Sequence, residues 1–158
     1  SISKGTTITL TATGGTNYTW TGEGIIAGQG SSVLTIRPEK SGTYTVRVTN
    51  ANGCSSEQSF ALTVNEDFKG LIANNILTPN GDGKNDFFEV KNIDMYPNNK
   101  VLIFDGASRI LYSKNGYDNS WNGMVNGNPL AEGTYYYVID FGDGKPKQKG
   151  FITLIRGR

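Results

Sequence analysis

The chain has 158 residues, 11% of them aromatic, with 21 Gly against 5 Pro and a formal net charge of +1. That is an all-β globular composition, too rich in aromatic and β-branched residues for disorder, and its balanced charge gives no field to draw in nucleic acid or a membrane surface. There is no histidine and a single cysteine, Cys54, which removes Ser-His-Asp, Cys-His and His-ligated zinc chemistry together.

No apolar run reaches the length of a bilayer span, and no signal peptide is visible. Ser1 begins in the middle of a strand pattern, so the chain reads as a piece of something longer. Cys54 has two readings, a small buried hydrophobe or a residue whose partner lies upstream.

From Thr6 to Ala12 the residues alternate with period two, and Gly14-Gly15 turns the chain. Asn17–Trp20 is a second strand. Glycines 22, 24, 28 and 30 make a flexible connection around Ile25-Ile26, and Ser32–Ile36 is a third strand, stopped at Arg37-Pro38. Ser41–Val48 is the clearest strand of this half. Asn50-Ala51-Asn52-Gly53 is a hairpin turn, and Ser59–Val64 closes the unit. Short strands between turn signals point to a β-sandwich. Trp20 followed by Gly42-Thr43-Tyr44 resembles the core tryptophan and corner tyrosine of immunoglobulin-like folds. The usual cysteine pair is absent, since position 46 is Val. The unit is short, and its first strand is expected before Ser1.

Asn65 to Gly70 interrupts the strand pattern and reads as a linker, too short for a free tether, so the two units are expected to touch. The division is placed at 1–66 and 67–158.

Leu71–Leu77 is an entry strand into the loop Thr78-Pro79-Asn80-Gly81-Asp82-Gly83-Lys84-Asn85-Asp86, and Phe87–Val90 leaves it as another. Lys100–Phe104 is apolar on both faces and is expected as a central buried strand. Asp105-Gly106 turns it into Arg109–Tyr112. Asn126-Gly127-Asn128-Pro129 is a turn, Glu132–Asp140 is the strongest strand, and Gly142-Asp143-Gly144 leads to the last, Gly150–Arg156. No helical spacing is sustained. Trp121 and Gly133-Thr134-Tyr135 echo Trp20 and Gly42-Thr43-Tyr44. The fold class is all-β, two immunoglobulin-like β-sandwich domains in tandem.

From Leu77 to Asp86 the second half is similar to the opening motif of the gliding-motility-associated C-terminal domain, the type B sorting domain of type IX secretion cargo. Later motifs follow in family order: Tyr96–Asn99, Val101–Asp105, Gly116–Gly123, Leu130–Tyr137 and Lys149–Arg156. One departure is Gly106-Ala107-Ser108, where the family usually carries Arg and Gly. The resemblance implies a C-terminal secretion signal and surface anchor, on cargo such as gliding adhesins of the SprB type, with the first half as a stalk unit. It also implies PorP/SprF-like or PorV-like outer-membrane partners and display at the cell surface, with no direct membrane insertion.

The family loop is Pro79, Asn80, Gly81, Asp82, Gly83, Asn85 and Asp86. Asn80, Asp82 and Asp86 stand at alternate positions, as oxygen ligands do in calcium loops. Lys84 takes the intervening ligand position and no downstream Glu completes the spacing, so a self-hydrogen-bonded turn competes with calcium. Partner recognition is expected at the basic end, over Lys145, Lys147, Lys149, Phe151, Ile155, Arg156 and Arg158; the competing explanation is a lysine-protected edge strand.

Tyr112, Tyr117 and Trp121 are either a sugar-stacking platform or a core plug, and Tyr18 with Trp20 reads as core. A carbohydrate- or surface-binding adhesin module without a sorting role is thus the alternative function. Catalysis is not expected: without His, and with the carboxylates spread over turns, only an acid pair such as Asp82 and Asp86 could work, and no pocket-forming insertion surrounds it. The Gly22–Gly30 segment leads to a strand, not a helix, so it is no phosphate cradle.

Overall fold

The computed structural model describes residues 1–157. It divides into two compact units, Ser1–Gly70 and Leu71 onward, so the break falls at the end of the linker. Residues 66 and 67 stay with the first unit: Lys4 Nζ meets Glu66 Oε1 at 3.8 Å, and a hydrogen bond from Ser3 lowers the pKa of Asp67.

The first unit contains β1 (Ile2–Ser3), β2 (Ile8–Thr11), β3 (Asn17–Thr21), β4 (Ile25–Ala27), β5 (Val33–Ile36), β6 (Gly42–Thr49), β7 (Ser55–Leu62) and β8 (Val64–Asn65). One sheet has the order β2-β5-β4, the other β3-β6-β7, and β1 joins β8 in parallel. Leu34 and Ile36 from the first sheet pack with Trp20, Tyr44, Val46 and Leu62 from the second. This is the expected sandwich. The Trp20 indole donates to Ser31 O at 2.9 Å, and Tyr44 Oη donates to Glu23 O at 2.6 Å, so each buried ring has a partner for its polar atom.

Two details differ from expectation. The Gly22–Gly30 segment holds a strand, β4. Gly24 and Gly28, at φ 67° and 85°, take the left-handed turns that bring Ile25–Ala27 alongside β5. Cys54 is exposed and free, not a buried hydrophobe. It closes the hairpin turn, where Asn50 N donates to its carbonyl at 2.9 Å and its own N–H donates to Asn50 Oδ1 at 3.0 Å.

The second unit contains β9 (Ile72–Ala73), β10 (Ile76–Leu77), β11 (Val90–Lys91), a 3-10 turn (Ile93–Met95), β12 (Lys100–Phe104), β13 (Ile110–Asn115), β14 (Met124–Val125), β15 (Asn128–Pro129), β16 (Gly133–Asp140) and β17 (Gln148–Leu154). Its main sheet has the order β10-β17-β16-β12-β13, with β10 parallel to β17 and the rest antiparallel. Val101, Ile103, Tyr135, Ile139, Ile152 and Leu154 are buried on the inner face. The other buried layer is mostly irregular: Phe88, Val90, Ile93, Met95, Tyr96, Tyr117 and Trp121. Phe88 lies 4.9 Å from Tyr137 and Tyr96 5.2 Å from Phe141, centroid to centroid, joining the layers.

β12 is central, as expected, but it alternates. Val101 and Ile103 are fully buried, whereas Leu102 and Phe104 are half-buried on the outer face. The entry strand is also split, because β9 pairs with β11 and β10 with β17. Of the exit strand Phe87–Val90 only Val90 is extended and paired, since the Phe88 N–H is taken by Trp121 O at 2.7 Å. The echo between the halves is partial. Trp20 stands on a strand and Trp121 on a loop. Tyr135 Oη bonds Ala131 O just upstream at 2.8 Å, while Tyr44 reaches the distant Glu23.

Candidate functional site

The Thr78–Asp86 loop is built by its own side chains. Asp86 Oδ1 accepts the N–H groups of Asn80 at 2.9 Å and Gly81 at 2.7 Å, and Oδ2 accepts that of Gly83 at 2.7 Å. Those bonds, Gly81's first, hold the Asp86 carboxyl below the usual carboxylate range. Asp82 Oδ1 accepts Lys84 N at 2.8 Å, its Oδ2 accepts Asn80 Nδ2 at 3.1 Å, and Asn80 Oδ1 accepts Asp82 N at 3.0 Å. Gly81 and Gly83, at φ 81° and 83°, supply the backbone reversals, and Thr78 N donates to Asn85 O at 2.7 Å across the mouth.

Each side-chain oxygen of Asn80, Asp82 and Asp86 therefore accepts an N–H of the loop itself. No group of three metal-ligating side chains occurs among the described residues. The arrangement is that of a self-hydrogen-bonded turn.

The loop's base is fixed from the core. Tyr117 Oη donates to Phe88 O at 2.5 Å and accepts Trp121 N at 3.2 Å. Its burial pushes the phenol well above its ordinary range. Asn74 clasps the exit, accepting Glu89 N at 2.9 Å and donating to Phe87 O at 2.9 Å. Trp121 and Tyr117 are 2% and 3% exposed, and Tyr112 lies 5.8 Å from Trp121. These rings form a core cluster and present no sugar-stacking platform. Sequence reasoning missed Asn74 and Asn119, whose Oδ1 accepts Val90 N at 2.9 Å. An Asn in a loop carries no signal that separates a clasp from solvation.

The expected recognition residues fall into two groups. β10 and β17 run parallel, so the loop after Leu77 and the segment after Leu154 leave the sheet at the same end. Ile155 N donates to Leu77 O at 2.9 Å. There Arg156 is engaged internally: its Nε donates to Leu130 O at 2.9 Å, its Nη2 to Gly123 O at 3.1 Å and its N–H to Glu132 Oε1 at 2.7 Å. Lys145, Lys147 and Lys149 lie at the opposite end of β17, about 20 Å away at ~3.3 Å per residue. Lys147 Nζ pairs with Asp140 Oδ2 at 2.8 Å. Arg158 lies outside the described residues.

The lysine-protected edge explanation holds for the first part of the strand, where Lys149 lies. β17 has β16 along its length and β10 beside Thr153 and Leu154, so only its first part forms an edge.

Phe151 occupies the middle of the strand on the outer face, beside Tyr136. In register with that pair stand Phe104 and then Ile110, and Ile155 and Ile76 lie exposed at the loop end. The outer face thus carries an apolar row across four strands, with Tyr136 and Phe151 48% and 49% exposed.

The CHU_C Type IX secretion signal domain family matches residues 71–154. The chain belongs to that family. The match coincides with the second compact unit, so that unit is a sorting signal for type IX secretion, the route of export across the outer membrane. No curated protein matches.

Among solved structures, the BSP domain of a biofilm-associated protein is 16% identical, with a TM-score of 0.41, over 98% of this chain and 28% of that one. Immunoglobulin domains 1–5 of Sidekick-1 are 16% identical, TM-score 0.38, over 98% and 38%. Dimeric latent PorU from Porphyromonas gingivalis is 16% identical, TM-score 0.31, over 89% and 16%. The chain spans well under half the length of each of these structures.

Proposed function

We propose that the type IX signal domain is the C-terminal sorting and anchoring signal of a gliding-motility adhesin, and that the first unit belongs to its stalk. The observation that carries this reading is the family match over 71–154 on a unit that is compact by itself. The unit has a core of its own: Leu77, Phe88, Val101, Ile103, Ile139, Ile152 and Leu154 are all buried. Recognition therefore acts on a folded surface.

The outer-sheet row around Tyr136 and Phe151 offers that surface, with Ile155 and the Asn-Gly-Asp loop at one end and Lys149 at the other. Large exposed aromatic side chains in a contiguous patch are the usual energetic centre of an interface, and the lysines tune the encounter rate more than the affinity. PorP/SprF-like or PorV-like outer-membrane proteins are the partners, and they hold the cargo at the cell surface after export. No nucleic acid or catalytic role enters this reading.

The test is a fusion of residues 71–158 to a neutral reporter in a type IX-competent cell. Reporter at the cell surface supports the reading, and reporter retained in the periplasm overturns it. The double variant Tyr136→Ser and Phe151→Ser then locates the surface. Both side chains already face solvent, so the fold should persist while display falls.

A further inference from the structure

An Asn-Gly step can lose its side-chain amide without an enzyme, because glycine puts no Cβ in the way when its nitrogen turns toward the preceding side chain. The chain has five such steps: Asn52-Gly53, Asn80-Gly81, Asn115-Gly116, Asn122-Gly123 and Asn126-Gly127. The reaction needs the glycine nitrogen deprotonated and aimed at the asparagine Cγ. An N–H that is already hydrogen-bonded meets neither condition.

Four of the steps are shielded. Gly53 N donates to Asn50 O at 3.0 Å and Gly116 N to Asn99 O at 2.7 Å. Gly81 N donates to Asp86 Oδ1 at 2.7 Å, and both polar atoms of the Asn80 side chain are bonded within the loop to Asp82. Gly123 is buried, and a Cβ built there would stand 3.1 Å from Leu154 and 3.3 Å from Leu77. Asn126-Gly127 differs from all four. Both residues are exposed, and neither the Asn126 side chain nor the Gly127 N–H has a partner among the described residues. They form the turn between β14 and β15, at φ 50° and 79°. That ladder pairs only Val125 with Asn128 and Met124 with Pro129, and a hairpin so short opens easily.

We propose that Asn126 is a self-modification site, which deamidates through a cyclic imide with water as the sole co-reactant. The Gly127 nitrogen gives its proton to hydroxide and forms a bond to the Asn126 Cγ. The Cγ–Nδ2 bond breaks, and ammonia leaves with that electron pair and a proton from water. Water then opens the ring at one carbonyl or the other, leaving an aspartyl or an isoaspartyl residue at 126. The sum is one water consumed and one ammonia released, with no change of oxidation state. The place matters because the hairpin hangs from the contacts that hold Arg156 and Trp121. Gly123 O and Leu130 O accept from the Arg156 guanidinium, and Met124 O accepts from the Trp121 indole at 3.1 Å. Conversion sets a new carboxylate between those carbonyls, and the isoaspartyl product also adds an atom to the main chain there. The inference concerns the second unit's own chemistry and is independent of the sorting role.

The experiment incubates the 158-residue chain in mildly alkaline buffer, folded and in concentrated urea, and follows each Asn-Gly step by peptide mass mapping. An isoaspartyl-specific methyltransferase separates the two products. In urea the five steps should convert at similar rates. In the folded chain Asn126 should keep its urea rate to within about threefold, while Asn52, Asn80, Asn115 and Asn122 slow by about tenfold or more, because each must first open locally. Folding that slows Asn126 as much as Asn80 and Asn115 overturns the proposal. The variant Asp86→Ala frees the Gly81 N–H and should raise the rate at Asn80 while leaving Asn126 unchanged. An Asn80 rate that does not rise also overturns it, since hydrogen bonding at the glycine would then not be what singles out Asn126.

Discussion

The Asp86 carboxylate accepts the Gly81 N–H at 2.7 Å across the family loop, and with the Gly83 and Asn80 bonds it makes one side chain the centre of the turn. Since Asp86 is held below its ordinary pKa, its bonds contribute stability above the unfolded value of about 3.9 and lose it as pH falls through the lower folded value. The amide proton shifts of Gly81 and Gly83 should therefore stay constant from pH 7 to about 5 and move only below ~3.9. In Asp86→Asn the amide group places donors against those N–H groups, so both resonances should shift and exchange faster at pH 7. Gly81 and Gly83 shifts that titrate with an ordinary carboxylate midpoint would contradict this account.

The same bonds predict calcium independence. Asn80, Asp82 and Asp86 direct their oxygens at N–H groups of the loop itself, and a calcium ion needs six to eight oxygens turned inward. The thermal midpoint of the second unit should be unchanged between EDTA and millimolar Ca²⁺. A midpoint that rises with calcium would reinstate the metal.

Tyr117 gives a third expectation. Its hydroxyl serves both Phe88 O and Trp121 N within a buried cluster, so Tyr117→Phe leaves two buried backbone groups short of a partner. The cost should be about 1–3 kcal/mol in urea unfolding of the second unit. The loop above it should also exchange faster. A stability within a few tenths of the parent would mean that water replaces the hydroxyl.

Much of this was legible in the sequence, for identifiable reasons. The strands with sustained alternation, such as Gly42–Thr49 and Gly133–Asp140, read correctly because period two and β-branched content coincide there. The Asn-Gly-Asp loop could be located and read as self-bonded because Asn and Asp at alternate positions have few other local uses.

Features that depend on partners distant in sequence were not legible. Ile25–Ala27 lies among glycines and becomes a strand only because β5 is beside it. Leu71–Leu77 reads as one strand, yet its halves pair with β11 and β17. The basic C-terminus looks like one surface until the length of β17 puts its lysines at one end and Arg156 at the other.

Arg156 supplies the last prediction, because it separates a structural role from a recognition role. Its guanidinium bonds two carbonyls, of Leu130 and Gly123, and so ties the end of the chain to the loop that carries Trp121. A lysine can reach one of those carbonyls, but its point charge does not span both. Arg156→Ala should destabilise the second unit by about 1–3 kcal/mol and Arg156→Lys by about half as much, read from the Trp121 indole resonance during urea unfolding. Secretion of the fused reporter should fall in the same order as stability and recover at lower growth temperature. Loss of secretion from a variant of unchanged stability would instead make Arg156 a direct contact of the translocon.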